Sequence, residues 1–102
     1  MKYSVEYDDE VQDDLQKTID WYANQREGLD KEFVEAVKSA IAQLTENPLV
    51  YRSRYKKIRF KHLYRFPYII VFQIKGNTIL VYAIIHDKRN PKLISSTLLS
   101  YP

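Results

Sequence analysis

Cationic side chains interleaved with aromatic ones are the chemically most suggestive residues of the sequence. Cations can neutralise phosphate groups and aromatic rings can stack on bases, so this composition suits nucleic-acid binding. In the structural alternative, aromatic residues such as Phe60 and Phe66 belong to the core, and the lysines protect an edge strand from aggregation. The cations are Arg52, Arg54, Lys56, Lys57, Arg59, Lys61, Arg65, Lys88 and Arg89, and the aromatic residues among them are Tyr51, Tyr55, Phe60, Tyr64 and Phe66.

His86 is the side chain near these cations that could act as an acid or a base at neutral pH. A strand-end histidine that bonds a backbone carbonyl is the structural alternative. His62 is distant in sequence and the chain has no cysteine, so no metal site is predicted. Gly28 and Gly76 are the only glycines and both are needed in turns, which excludes a phosphate-binding loop. We therefore expect no cofactor.

The charge is divided between the two halves of the sequence. Residues 1–51 hold five basic and 12 acidic residues, a net charge of −7, whereas residues 52–102 hold 11 basic residues and one acidic residue, a net charge of +10. This split predicts that one surface repels nucleic acid or acidic partners while another attracts them.

The size and composition of the chain limit its class. A length of 102 residues allows one domain, taken as residues 1–102 with the tail 92–102 uncertain. The absence of cysteine fits a reducing compartment. The longest apolar run, residues 79–85, is too short to span a bilayer, which needs roughly 20 residues. We expect a cytoplasmic protein without membrane contact.

The first half of the sequence predicts a strand and a helical hairpin. Residues 1–7 alternate with a period of two, and the acidic run 8–14 is interpreted as a capped helix start, not a cation site. This helix extends to about Arg26, and Gly28 ends it in a left-handed conformation. Asp30 is the predicted N-cap of a second helix that Asn47-Pro48 closes.

The second half predicts three antiparallel strands. Residues 57–61 alternate cationic and apolar side chains, which indicates a strand near an edge. Residues 66–74 and 79–86 form a hairpin around Gly76-Asn77, with the glycine at the first turn position. The predicted fold class is α+β: an N-terminal strand, an antiparallel helical hairpin, and a three-stranded meander with the helices on one sheet face.

The hairpin register predicts which side chains share a face. Opposed pairs Ile74–Ile79, Phe72–Val81, Ile70–Ala83 and Tyr68–Ile85 are assigned to the helices. The second face is apolar, and Arg65, His86 and Lys88 lie at its rim. Such a surface is either a partner site or is covered by the N-terminal segment or by residues 93–99. Its predicted apolar residues are Ile69, Val71, Leu80, Tyr82 and Ile84.

Five short motifs, in their order and spacing, point to one family. They are Asp20-Trp21-Tyr22, Gln25-Arg26-Glu27-Gly28-Leu29, Glu46-Asn47-Pro48, Arg65-Phe66-Pro67-Tyr68 and His86-Asp87-Lys88-Arg89-Asn90-Pro91. Over about residues 3–91 the sequence resembles the RelE/ParE superfamily of bacterial toxins, and its ParE branch more than its RelE branch.

The resemblance implies the toxin half of a type II toxin–antitoxin module, often described as a plasmid stabilisation protein. An antitoxin would wrap an extended and helical segment around the toxin, which suits the apolar second face. ParE-like toxins poison DNA gyrase while its DNA is cleaved, and they need no catalytic residues. RelE-like toxins cleave messenger RNA in the ribosomal A site, using basic residues and an acid or base on the open sheet face.

The leading hypothesis is a gyrase-poisoning toxin in a hetero-oligomer with its antitoxin. In the nuclease pattern an arginine follows the aromatic residue that corresponds to Tyr68, but this sequence has Ile69. The alternatives are a ribosome-dependent ribonuclease using Arg65, His86 and Arg89, or an inactive member that only binds its antitoxin and helps it repress their promoter. The hypothesis assigns target binding to Lys57, Arg59, Lys61, Arg65, His86, Lys88 and Arg89, and antitoxin binding to Ile69, Val71, Leu80, Tyr82 and Ile84.

Overall fold

The fold is that of a computed structural model, which describes residues 3–51, 53–55 and 57–88. It confirms the α+β class, with two helices against a mixed sheet. The tail 92–102 and Arg89 lie outside the described residues. The elements are β1 (Ser4–Tyr7), α1 (Asp9–Ala23), α2 (Leu29–Glu46), a 3-10 turn (Pro48–Val50), β2 (Ser53–Tyr55), β3 (Ile58–His62), β4 (Tyr68–Lys75) and β5 (Thr78–His86).

The acidic run does begin α1. The side chain of Asp8 accepts the Glu10 N–H at 3.3 Å, and Asp9 and Glu10 place negative charge at the positive end of the helix dipole. Gly28 has the expected left-handed conformation, with φ of 84°. It also takes the N-cap position of α2, so the prediction that Asp30 is this N-cap is wrong. The left-handed turn at Gly28 reverses the chain, and α2 starts at the next residue.

The sheet has the strand order β1-β5-β4-β3-β2. β1 runs parallel to β5 at one edge, with Ser4 opposite Thr78, and it therefore extends the sheet instead of crossing its second face. β2 is a short strand that the sequence did not predict, and it places β3 one strand in from the other edge. In the part of the chain that is described, no helix combines the length and apolar composition needed to cross a membrane.

Aromatic side chains join the helices to the sheet. The ring centroid of Phe33 on α2 lies 5.1 Å from that of Tyr22 on α1, 5.3 Å from that of Phe66 and 5.4 Å from that of Tyr68. The contacts with Phe66 and Tyr68 are edge-on and the contact with Tyr22 is tilted, and such ring pairs add to the stabilisation from burial. Phe66 therefore packs against the core, as the structural alternative to a nucleic-acid-binding role predicted. Phe72 is fully buried in the same cluster.

The β4–β5 hairpin contains a bulge. Near the turn the predicted register is confirmed, with Ile74 opposite Ile79 and Phe72 opposite Val81. Gly76 has φ of 59°, the positive value that its turn position favours. Val71, however, lies opposite Ala83, so Tyr82 is an additional residue in β5. A residue inserted into one strand exchanges the faces of all side chains beyond it.

Because of the bulge, the predicted face is wrong for four residues, 83–86. Ile84 packs in the cluster that faces the helices, and its predicted place on the second face is wrong. Ala83 and Ile85 take the opposite side, and Tyr68 lies opposite His86 instead of Ile85. We call this second side the far face. It consists of Ile58, Ile69, Val71, Tyr82 and Ile85, which are buried, and Phe60, Leu80 and Ala83, which pack against them.

Two substitutions distinguish the bulged register from an uninterrupted one. Ile84→Asp would place a carboxylate among the helix-facing side chains, and we expect it to lower the free energy of unfolding by more than about 3 kcal/mol. Ala83→Asp lies on the far face and should leave the protein folded. Urea denaturation followed by circular dichroism measures both. An uninterrupted register would reverse the two results.

A second prediction concerns alkaline pH. Burial raises the pKa of Tyr22, and the neighbouring Tyr68 raises it further through its charge and hydrogen bond. Burial also raises the pKa of Tyr82 on the far face, with an added contribution from the charge of Asp8. The folded protein keeps these protons where the unfolded chain releases them, so the free energy of unfolding should fall as pH rises above about 10.

Denaturant titrations between pH 8 and pH 11.5 measure this decline. Tyr82→Phe should make the free energy of unfolding fall less steeply with pH. The variant lacks the hydroxyl group that holds its proton more tightly in the folded protein than in the unfolded chain. Tyr64→Phe is the matched control, since Tyr64 is 72% exposed and its substitution should leave the slope unchanged. A slope that is identical in all three proteins would contradict the prediction.

Candidate functional site

Two of the predicted target-binding cations lie around Tyr51. Arg59 and Lys61 are opposite Phe72 and Ile70, so they are on the side of the sheet that faces the helices. Arg59 Nη1 donates to the Tyr51 carbonyl at 2.5 Å, and Lys61 Nζ lies 5.2 Å from the centroid of the Tyr51 ring. Tyr51 thus holds two cations in fixed positions, by a hydrogen bond and by a cation–π contact.

Arg65 lies in the loop between β3 and β4, where the Leu63 N–H donates to the Tyr68 carbonyl at 2.9 Å. Its φ of 70° is in the left-handed region, which is uncommon for a residue other than glycine. Arg65 Nη2 is 3.9 Å from Glu32 Oε1, and Glu32 Oε2 is 2.8 Å from Arg26 Nη2. The Glu32 carboxylate on α2 therefore lies between the guanidinium groups of Arg26 and Arg65, and its negative charge attracts both.

His86 lies on the helix-facing side of the sheet. Its ring packs at 72° against Tyr68, with the centroids 5.2 Å apart. His86 Nδ1 accepts the Lys88 N–H at 3.1 Å and is 3.6 Å from Asp87 Oδ1. The neutral ring therefore carries its proton on Nε2. This arrangement differs from the structural alternative of a bond to a backbone carbonyl, because the backbone group involved is a donor.

The predicted cations do not form one cluster. Arg59 and Lys61 are held by Tyr51, Arg65 is beside Glu32, and Lys57 is exposed in the turn between β2 and β3. The expected rim of the far face is also wrong for His86, because the bulge turns it toward Tyr68. Arg89, the third residue of the nuclease alternative, lies outside the described residues.

The far face brings together four of the five residues predicted to bind an antitoxin: Ile69, Val71, Leu80 and Tyr82. The Tyr82 hydroxyl donates to Gln73 Oε1, which satisfies the buried amide oxygen. Sequence reasoning missed Ile58 and Phe60, although their alternation with lysine and arginine in β3 was a usable signal. It also missed Ala83 and Ile85, for which no signal exists, because a bulge leaves no mark in the hydrophobic pattern.

Comparison with known proteins agrees with the fold. A family model described as "ParE toxin of type II toxin-antitoxin system, parDE" matches residues 5–91. No curated protein matches the sequence. A chain from the chromosomal ParDE toxin–antitoxin system of P. aeruginosa has a TM-score of 0.70 and 21% identity, over 83% of this chain and 96% of that one.

Two structures of E. coli RelE share the fold at lower identity. A doubly substituted RelE toxin in the free state has a TM-score of 0.68 and 12% identity, over 100% of both chains. The isolated RelE toxin has a TM-score of 0.60 and 12% identity, over 97% of this chain and 99% of that one. These likenesses show the fold, whereas the family model covers most of the sequence itself. The chain belongs to the family of ParE toxins of type II toxin–antitoxin systems.

Proposed function

We propose that this toxin binds DNA gyrase and stabilises the state in which gyrase has cleaved its DNA. The observation that carries the proposal is the apolar character of the far face. A RelE-like ribonuclease would use basic residues with an acid or base on the open sheet face. Here Ile69 occupies the position of the expected arginine and is 6% exposed among other apolar side chains. A toxin that binds its target without catalysis does not need charged residues there.

The cations that could contact gyrase or its DNA lie on the other side of the sheet. Arg59 and Lys61 are held by Tyr51, and the exposed side chains of Lys57 and Arg65 lie in the turns before and after β3. Together these positive charges follow one strand and the two loops beside it. Positive charge in such an arrangement can neutralise phosphates of DNA without recognising its sequence.

Purified toxin incubated with gyrase and supercoiled plasmid should cause cleaved plasmid to accumulate. The double variant Lys57→Ala with Arg65→Ala should need about tenfold more protein for the same effect, because two exposed cations no longer contribute to binding. Lys38→Ala is the matched control, since Lys38 is an exposed cation on α2. Gel electrophoresis of the plasmid measures the cleaved fraction.

An absence of cleaved plasmid at tenfold excess of toxin over gyrase would contradict the proposal. Cut sites on translated messenger RNA that disappear in Arg65→Ala or His86→Ala would then assign the ribonuclease activity. Tight antitoxin binding with no growth arrest on overexpression would instead identify an inactive member of the family.

We further infer that the cognate antitoxin contacts the far face. Its partly buried members, Phe60, Leu80 and Ala83, surround a buried apolar centre, and this combination is typical of protein interfaces. Ile84 is not part of this proposal, because it packs toward the helices. The far face is apolar, so an antitoxin bound there would lie on the opposite side of the sheet from the cations.

Leu80→Glu tests this contact. A charge within an apolar interface should weaken antitoxin binding at least tenfold, or by about 1.4 kcal/mol. The partner to use is the product of the small reading frame next to the toxin gene, and calorimetry measures the affinity. Leu49→Glu is the control, because Leu49 is 60% exposed and lies away from the far face. Equal binding by Leu80→Glu and the unmodified toxin would exclude this face.

A further inference from the structure

A cleft lined by aromatic rings lies between α1 and the ends of two strands. It has a volume of about 490 Å³, within the usual range of about 300–1,000 Å³ for small-ligand sites. We call it the aromatic cleft. α1 contributes Lys17, Thr18, Trp21 and Tyr22, the start of the β4 hairpin contributes Pro67 and Tyr68, and β5 contributes His86.

Trp21 is the unusual residue of the aromatic cleft. It is 56% exposed, although an indole ring is the largest apolar side chain available and is normally withdrawn from water. Its ring meets that of Tyr22 at 77° with the centroids 5.0 Å apart, so it is supported from the core side. An aromatic surface that is fixed on one side and open on the other is suited to stacking with a planar ligand.

In the described part of the chain, the polar groups that line the aromatic cleft include one lysine, Lys17, and no carboxylate, although α1 itself carries several aspartates. His86 Nδ1 already accepts the Lys88 N–H, which leaves Nε2–H of the neutral ring to donate. The acidic groups near the aromatic cleft are Asp20, whose Oδ1 accepts a bond from Gln16 Nε2 at 2.9 Å, and Asp87, whose Oδ1 lies 3.6 Å from His86 Nδ1.

We propose that the aromatic cleft binds one nucleotide of a single-stranded nucleic acid, with the base stacked on Trp21 and the phosphate near Lys17. The combination of aromatic rings with a cation is the one that binds single strands with little sequence preference. This binding does not rest on the proposed function, because it is tested with a free oligonucleotide in the absence of gyrase.

A single-stranded nucleic acid suits the aromatic cleft better than an acidic peptide. A nucleotide joins its planar ring and its charge through one short sugar, so both can be satisfied within one cleft of this size. In a peptide the aromatic ring and the carboxylate belong to different residues, and ordering both side chains costs additional conformational entropy.

The intrinsic fluorescence of the protein reports directly on the aromatic cleft, because Trp21 is the only tryptophan in the sequence. An eight-nucleotide oligothymidylate should quench this fluorescence saturably, with a Kd of about 10–100 µM at low salt. Lys17→Ala should weaken binding about threefold, because the positive charge near the phosphate is lost. Lys38→Ala removes one exposed cation from the other helix and should leave the Kd unchanged.

Trp21→Ala requires a second measurement, the anisotropy of a labelled oligothymidylate. Loss of the stacking surface should weaken binding about tenfold. Circular dichroism confirms that the variant is folded, as expected for an exposed side chain.

Three results would overturn the proposal. The first is fluorescence that does not saturate up to millimolar oligonucleotide. The second is oligonucleotide binding that Trp21→Ala leaves unchanged, which would place it on the cations of β3. The third is stronger quenching by the peptide Glu-Tyr-Glu than by oligothymidylate, which would assign the aromatic cleft to a protein partner. Because the gyrase assay is a separate measurement, either proposal can fail alone.

Discussion

The pairing between β4 and β5 determines what each side of the sheet can do. From Ala83 to the end of β5, the extra residue exchanges the face of every side chain, so Ile84 packs toward the helices while Ala83 and Ile85 join the far face. The same shift places His86 beside Tyr68, where it lines the aromatic cleft. One inserted residue thereby separates an apolar face from a side that carries cations and aromatic rings.

The two sides of the sheet differ in their chemistry. The far face is apolar and has its largest partly buried side chains at Phe60 and Leu80. On the helix-facing side, Arg59 and Lys61 are opposite Phe72 and Ile70, and Arg65 lies beside Glu32 of α2. The uneven distribution of charge along the sequence becomes, in the fold, an acidic pair of helices and separate groups of cations on β3 and in the loops beside it.

Sequence reasoning succeeds where a single local rule decides. The acidic cap of α1, the left-handed Gly28 and the turn at Gly76 all follow from backbone geometry that few residues satisfy. The family motifs add the overall arrangement. The bulge at Tyr82 could not be predicted, because an inserted residue costs little locally and leaves an apolar pattern readable in either register.

The functional residues were harder to place than the elements that hold them. The run of cations in the sequence predicts one surface, but in the fold Arg59 lies at Tyr51 and Arg65 lies beside Glu32. The contacts of Tyr51 could not be predicted from the sequence. Its carbonyl meets Arg59 and its ring meets Lys61 only because the chain after the 3-10 turn lies beside β3. Trp21 appeared only as part of a family motif, and its exposure depends on how α1 meets the sheet.

The parallel pairing of β1 with β5 has a consequence for biosynthesis. The backbone of Ser4 meets that of Asn77, and the two strands are separated by nearly the whole described chain. Contacts of such sequence separation form slowly and late, because the intervening loop must first be closed. During translation the sheet therefore stays incomplete until β5 has emerged from the ribosome.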